Sequence, residues 1–167
     1  LNLIDSELVS RVHRDYADAG AELLETNTFG ANSLRLAAFG LEQKTAQINL
    51  AGARLAREAA GEERWVAGSV GPLVKPRGSN LELTSQSKKE LFREQMAALA
   101  EGGVDCFLLE TFPGVDDLVL GIGFCQFPGK QRDPALFQRH TVARTDTISQ
   151  HQDCSGLDGP GVAGICQ

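Results

Sequence analysis

A chain of 167 residues with 42% hydrophobic and 23% charged content is long enough for one domain with a real core and is ordinary for a globular protein. Its formal charge of −6 argues against a general nucleic-acid binder, and no apolar stretch approaches the roughly 20 residues needed to cross a bilayer. Four cysteines at irregular spacing do not read as a disulfide framework and point to a reducing, cytoplasmic setting.

The start, Leu1-Asn2-Leu3-Ile4-Asp5, has neither a charged n-region nor an apolar h-region, so no secretory signal is visible. It also lacks an initiator Met, which suggests a start inside a longer protein. Residues 6–19 read as an amphipathic helix. Leu8, Val9, Val12, Tyr16 and Ala19 fall at helical spacing, Ser6 can cap the first turn, and Gly20 stops it. Residues 21–26 read as a strand, and 27–30 as the turn leaving it. Asn32 or Ser33 opens a helix that ends at Gly40. A longer helix is expected over 42–60, with Ile48, Ala51, Leu55 and Ala59 on its apolar side and Gly61 as the stop.

Residues 64–70 form the next expected strand, closed by Gly71-Pro72. A polar loop over 73–83 leads to a helix capped by Thr84 or Ser85, running to about Glu101, with Leu91, Met96, Leu99 and Ala100 on its apolar side. Gly102-Gly103 end it. Residues 104–110 are the third strand, and 115–122 one more helix. Helix and strand alternate in the rhythm of parallel βα units. From Cys125 the chain is dense in Gln, Arg, Asp, Thr and Gly, so 125–167 reads as a weakly structured, atypical tail after a domain over 1–124.

Two expected strands end alike. Ala21-Glu22-Leu23-Leu24 runs into Glu25-Thr26-Asn27-Thr28-Phe29-Gly30, and Cys106-Phe107-Leu108-Leu109 runs into Glu110-Thr111-Phe112. Polar side chains at the carboxyl ends of parallel strands are where α/β proteins hold ligands. A carboxylate there is partly desolvated and needs a cation or a donor. Glu110 suits a ligand ammonium; Thr26, Asn27 and Thr28 suit a ligand carboxylate. Gly68-Ser69-Val70-Gly71-Pro72 adds a third polar ending, whose glycines would let a ligand approach the backbone. The plainer alternative is that Glu25 and Glu110 cap neighbouring helices or pair with surface arginines.

Other signals are weaker. Gly159-Pro160-Gly161-Val162-Ala163-Gly164 fits a dinucleotide fingerprint formally, but lacks a strand before it and room for a helix after it. Residues 123–130 miss the phosphate-loop spacing by one, with Gln131 where Ser or Thr belongs. Cys125, Cys154, Cys166, His140 and His151 match no short metal motif. Cys106 reads as a small apolar strand residue, and His13 as a surface or helix-packing residue.

Several separated motifs, in order, resemble one family. They are Val12-His13-Arg14-Asp15-Tyr16, Ala19-Gly20-Ala21, the run from Glu25 to Asn32, Gly40-Leu41-Glu42, Ala56-Arg57-Glu58-Ala59-Ala60-Gly61, Gly68-Ser69-Val70-Gly71-Pro72, and Glu101-Gly102-Gly103-Val104-Asp105 followed by Glu110-Thr111-Phe112. Together they resemble the homocysteine S-methyltransferase domain of methionine synthases and betaine–homocysteine methyltransferases, from about Ser6 to Ile122.

The resemblance implies a (β/α)8 TIM barrel, of which three to four βα units are represented here. It implies methyl transfer to the thiol of homocysteine, giving methionine. The donor would be a methylated folate or cobalamin, a betaine or a methylsulfonium compound. It implies zinc, held by cysteines late in the barrel, which makes the homocysteine sulfur a thiolate. It gives Glu110 the amino-acid ammonium and places Thr26, Asn27 and Thr28 at the same pocket. The family's first strand, with its Asp-Gly element, and its cysteine-bearing zinc segments have no counterpart in these residues. The expectation is therefore a truncated domain, inactive alone, with no catalytic or metal-ligating residue assigned. The alternatives are a non-catalytic partner of a full-length relative, and a different α/β enzyme using Glu25 and Glu110 as acid and base.

Overall fold

The computed structural model describes residues 1–75 and 80–123. Expectations placed on Cys125, His140, His151, Cys154, Cys166, the 159–164 run and the tail lie outside the described residues. The described part alternates helix and strand: α1 (Ser6–Asp18), β1 (Leu23–Glu25), α2 (Ser33–Leu36), α3 (Thr45–Ala60), β2 (Trp65–Val70), α4 (Ser85–Glu101), β3 (Cys106–Leu109) and α5 (Val115–Ile122), with 3-10 turns at Ala37–Phe39 and Glu42–Lys44. The sheet is parallel, in the order β1-β2-β3. Chain order and spatial order coincide, as they do along a segment of a singly wound sheet. The result is an α/β fold consistent with part of a TIM barrel.

The helix starts are fixed by short polar side chains. Asp5, rather than Ser6, caps α1 by accepting from the Leu8 amide. Asn32 caps α2 through the Arg35 amide, and Thr84 caps α4 through the Ser87 amide. The expected helix over 42–60 divides, since its first turn is 3-10 and the α-helix starts at Thr45. The strands are shorter than expected at one or both ends.

The buried faces are rotated from those expected. On α1, Val9, Ser10, His13 and Ala17 are buried, while Val12 and Tyr16 are exposed. On α3 the buried side is Thr45, Asn49, Gly52, Ala53, Ala56 and Ala60, one residue on from the larger Ile48, Ala51, Leu55, Ala59 stripe. Small side chains win there because α3 must fit closely against its neighbours. A Cβ on Gly102 would overlap that of Ala53. On α4 the buried residues are Phe92, Gln95, Met96, Ala98 and Leu99, with Leu91 only partly buried.

Two apolar clusters join helices to one face of the sheet. Leu24 and Val66 pack with Ala17, Ala56 and Ala60. Val70 packs with Leu34, Ala53, Phe92, Met96 and Leu99. Burying these side chains contributes about 25 cal/mol per Å² of apolar surface removed from water.

The amino ends of the strands are held by one arginine. Arg57 Nε donates to Gly103 O at 3.1 Å, its Nη1 to Gly61 O and Arg64 O at 3.1 Å each, and its Nη2 to Asp105. Asp105 also accepts from the Val66 amide at 2.8 Å, so one ion pair fastens α3 to the entrances of β2 and β3.

Candidate functional site

The alternation of side chains along a strand sets the site. Leu24 is buried against the helices, between exposed Leu23 and Glu25. Glu25 pairs in register with Ala67, Ala67 with Cys106, and Ser69 with Leu108. Leu23, Glu25, Ala67, Ser69, Cys106 and Leu108 thus share the face away from the helices. The Glu110 amide donates to Val70 O at 3.2 Å, which prolongs the ladder past Leu109 and returns Glu110 to the same face. Glu25, Ser69 and Glu110 therefore meet at the carboxyl ends of three neighbouring strands.

Their side chains are joined. The Ser69 hydroxyl donates to Glu110 Oε1. The Glu25 carboxyl lies beside Glu110 and Ser69, and the negative charge of Glu110 acts on it. Although Glu25 as a residue is exposed, its carboxyl lies against the strand ends. Partial burial comes first among the causes that push it up to about 7, followed by its interaction with the Glu110 carboxyl; the nearby Ser69 hydroxyl opposes the rise and the negative charge of Glu110 adds to it. Glu25 and Glu110 thus interact with one another, rather than acting as helix caps.

Ser69 is itself held from behind. Its amide donates to Thr26 Oγ1 at 2.9 Å, and its carbonyl accepts from Thr28 Oγ1 at 2.8 Å. The two threonine hydroxyls lie 2.6 Å apart. Since the Thr28 proton goes to Ser69, the Thr26 hydroxyl is the donor between them. Both threonines are buried, and Gln95 on α4 fixes Thr28 by donating to its carbonyl at 2.9 Å. Asn27 turns aside: its side-chain amide donates to Asn2 Oδ1 at 2.9 Å, and Asn2 donates back to the Asn27 carbonyl at 2.9 Å.

The four residues expected at the pocket therefore divide. Glu110 stands on the open face; Thr26 and Thr28 stand behind Ser69 with their hydroxyls engaged; Asn27 braces the turn. The glycines of the β2 ending are packed against the protein's own atoms on the side a Cβ would take. Gly68 is filled around by Leu99, Phe107 and Val104, and a Cβ on Gly71 would overlap the Phe29 ring and carbonyl. The Gly71 amide instead donates to Phe29 O at 3.0 Å, locking the turn after β1 to the end of β2.

Thr111, next to Glu110, has φ 59°, a left-handed backbone that is costly for a β-branched residue. It turns the chain sharply at the carboxylate. Asn2 and Gln95 are residues that sequence reasoning did not single out, and Ser69 was named only within the third polar ending, with no role of its own. Gln95 had a signal, since it sits four residues from both Leu91 and Leu99 on an otherwise apolar side.

Beside the outer edge of β1, a groove of about 620 Å³ is lined by Leu8, Val12, His13, Tyr16, Leu23 and Glu25, among others. His13 is buried, with its Nε2 unpartnered among the described residues, and burial lowers its pKa. It packs within the helix layer and does not reach the Glu25–Ser69–Glu110 cluster through any hydrogen bond among those described.

The cofactor implied by the resemblance is a metal. Among the described residues, no three His, Cys, Asp or Glu side chains are grouped to hold one. Cys106 offers a single thiol, 4.0 Å from the Val66 carbonyl. The described donor set does not fit zinc.

A parallel βα sheet with polar groups gathered at its strand ends is an α/β fold consistent with part of a TIM barrel. The chain belongs to the homocysteine S-methyltransferase family, whose model matches residues 1–143, further at both ends than the motifs reach. Crystal structures of the homocysteine methyltransferase MmuM from Escherichia coli are similar. The oxidised form is 27% identical with a TM-score of 0.59, over 71% of this chain and 46% of that one. The metallated form is 26% identical with a TM-score of 0.58, over 71% and 47%. The apo form gives 26% and 0.55, over 75% and 48%. The chain spans about half the length of these proteins. Among the described residues, no helix is long and apolar enough to cross a membrane.

Proposed function

We propose that these residues form the amino-acid-binding part of a cytoplasmic homocysteine S-methyltransferase barrel. Glu110 takes the ammonium group of homocysteine. The observation that supports this most is its position at the end of β3, on the face away from the helices, with the Ser69 hydroxyl fixing one carboxylate oxygen. A carboxylate held in this way makes strong charge-assisted hydrogen bonds to an ammonium. Thr26 and Thr28 act through Ser69, and Asn27 through the turn it shares with Asn2. In the complete reaction the homocysteine sulfur loses its proton and attacks the methyl carbon of a small donor; the donor's leaving group departs and methionine forms. Zinc would supply the sulfur activation in an intact domain, from residues other than those described.

In this reading the chain alone orients the amino acid and does not turn it over. Incubation with zinc, homocysteine and S-methylmethionine or betaine is expected to give no methionine above background; clear turnover would refute that expectation. Substrate recognition is tested by calorimetric titration with homocysteine and with 4-mercaptobutanoate, which lacks the amino group. Homocysteine should bind at least tenfold more tightly, the scale of about 1.4 kcal/mol, and Glu110→Gln should remove the preference. Equal binding of the two thiols contradicts the assignment of Glu110.

Among the described residues β1 and β3 are the outer strands of the sheet, which favours a second reading, of a different class: a non-catalytic partner of a full-length relative. Copurification of the two, with strand pairing detected by amide exchange protection at Leu23–Glu25, supports it.

A further inference from the structure

The proposed ammonium site contains a second carboxyl group that the substrate reading leaves without a task. Glu25 and Glu110 come from strands separated by β2, yet both stand at the strand ends on the face away from the helices, where the charge of Glu110 acts on Glu25 and the Ser69 hydroxyl donates to Glu110. Two carboxylates so close cannot both ionise cheaply unless a cation lies by them; without one, the pair retains a proton.

We infer that Glu25 is a positioning residue that gates the ammonium site: Glu25 and Glu110 hold one proton between them when the site is empty, and an arriving ammonium group displaces it. This deepens the substrate reading and rests on it. The exchange balances. A ligand R–NH3⁺ enters, the shared proton leaves to solvent, and no covalent bond in the ligand changes. With the proton in place, one carboxyl is neutral and the pair carries a single negative charge. Once the proton has left, two negative charges face one ammonium.

The surroundings leave this exchange to the pair itself. Glu110 is the group whose charge acts on Glu25, and Ser69 of β2 is a neutral donor between them. From α1, His13 and Tyr16 line the groove that Glu25 also borders, and burial keeps His13 on the neutral side. From α3, which also packs on β1, Arg57 is committed to Asp105 and to three carbonyls at the opposite ends of the strands.

The experiment is a calorimetric titration of the full chain with homocysteine between pH 6 and pH 8, under reducing conditions and in two buffers of different ionisation enthalpy. With the exchange centred near pH 7, affinity should rise about tenfold over that range. About half a proton should be released per ligand at pH 7. In Glu25→Gln the proton release should vanish and the affinity should become flat with pH. The wild-type proton count needs no variant, so a poorly folding Glu25→Gln leaves the inference testable. Homocysteine binding that is flat with pH and releases no proton overturns the gate and leaves the substrate reading intact. A folded chain that binds no homocysteine at any pH overturns the substrate reading, and the gate with it.

Discussion

The two ends of the same three strands are built on opposite electrostatic plans. At the amino ends, a half-buried cation meets a half-buried anion, and three further guanidinium protons go to backbone carbonyls. At the carboxyl ends, two groups of the same sign meet, only a hydroxyl joins them, and the next residue has a left-handed backbone. The first arrangement lowers the energy of the folded chain by itself. The second does so only with a proton or a ligand cation. In a βα sheet this separates a stabilising end from the end proposed to bind the ligand.

The comparison breaks most visibly at the stabilising end. Arg57→Ala leaves Asp105 partly buried and without its cation. Its loss should cost about 3 kcal/mol or more, read from urea unfolding at pH 7. A change within 0.5 kcal/mol would mean that the amino ends are not held as described.

Next comes Thr28→Val, behind the binding end. It removes the donor to the Ser69 carbonyl in a buried place and should cost about 1–3 kcal/mol. If Thr28 supports Ser69 rather than touching ligand, Thr28→Ser should restore stability, with unchanged homocysteine affinity. Lost affinity without lost stability would move Thr28 into direct contact with the ligand.

The third effect concerns pH. The folded-state value of Glu25, about 7, lies above its ordinary 4.5. The folded chain therefore holds this proton more tightly than the unfolded chain does. The stabilisation is fully present below about pH 4.5 and is lost as the pH rises to about 7. Glu25→Gln should make the chain more stable than wild type at pH 8, by about 1 kcal/mol once solvent screening of a half-exposed carboxyl is allowed for. Near pH 4 the two should be equal. Thermal melts at the two pH values read the difference, and a variant less stable at pH 8 would reverse the sign.

The smallest effect is expected at Thr111. Thr111→Gly relieves a left-handed backbone and should stabilise by up to about 1 kcal/mol, while loosening the aim of Glu110. Homocysteine affinity should then fall as the melting temperature rises. A lower melting temperature would place the strain elsewhere.

Much of the fold was legible in the sequence because its stops are chemical. Gly20, Gly40, Gly61 and Gly102 end helices or turns near where they were expected, and the helix over 115–122 has the predicted bounds. The buried faces were less legible. Periodicity ranks large apolar residues first, whereas α3 buries Gly52, Ala53 and Ala56, where close approach matters more than side-chain size. The same preference put Val12 and Tyr16 inward on α1 together with Val9; Val9 is buried as expected, but His13 and Ala17 take the places of the other two.

At the candidate site, the echoed Glu-Thr endings pointed to two strand ends that the sheet brings to one face. Their division of labour was hidden, because a threonine that binds a ligand and one that holds a neighbouring backbone have the same letter. Only the register brings Ser69 between the two carboxyls. Glycines that suggested ligand approach serve the approach of Phe29 and Leu99 instead.

The most direct measurement is a homocysteine titration of the isotope-labelled full chain, followed by amide and glutamate-carboxyl NMR shifts. Glu25, Ser69, Cys106 and Glu110 should shift together and saturate at one concentration, and the response should be lost in Glu110→Gln. A saturable response confined to the helices, or one at the strand ends that survives Glu110→Gln unchanged, would contradict a carboxylate-centred amino-acid site at the ends of these strands.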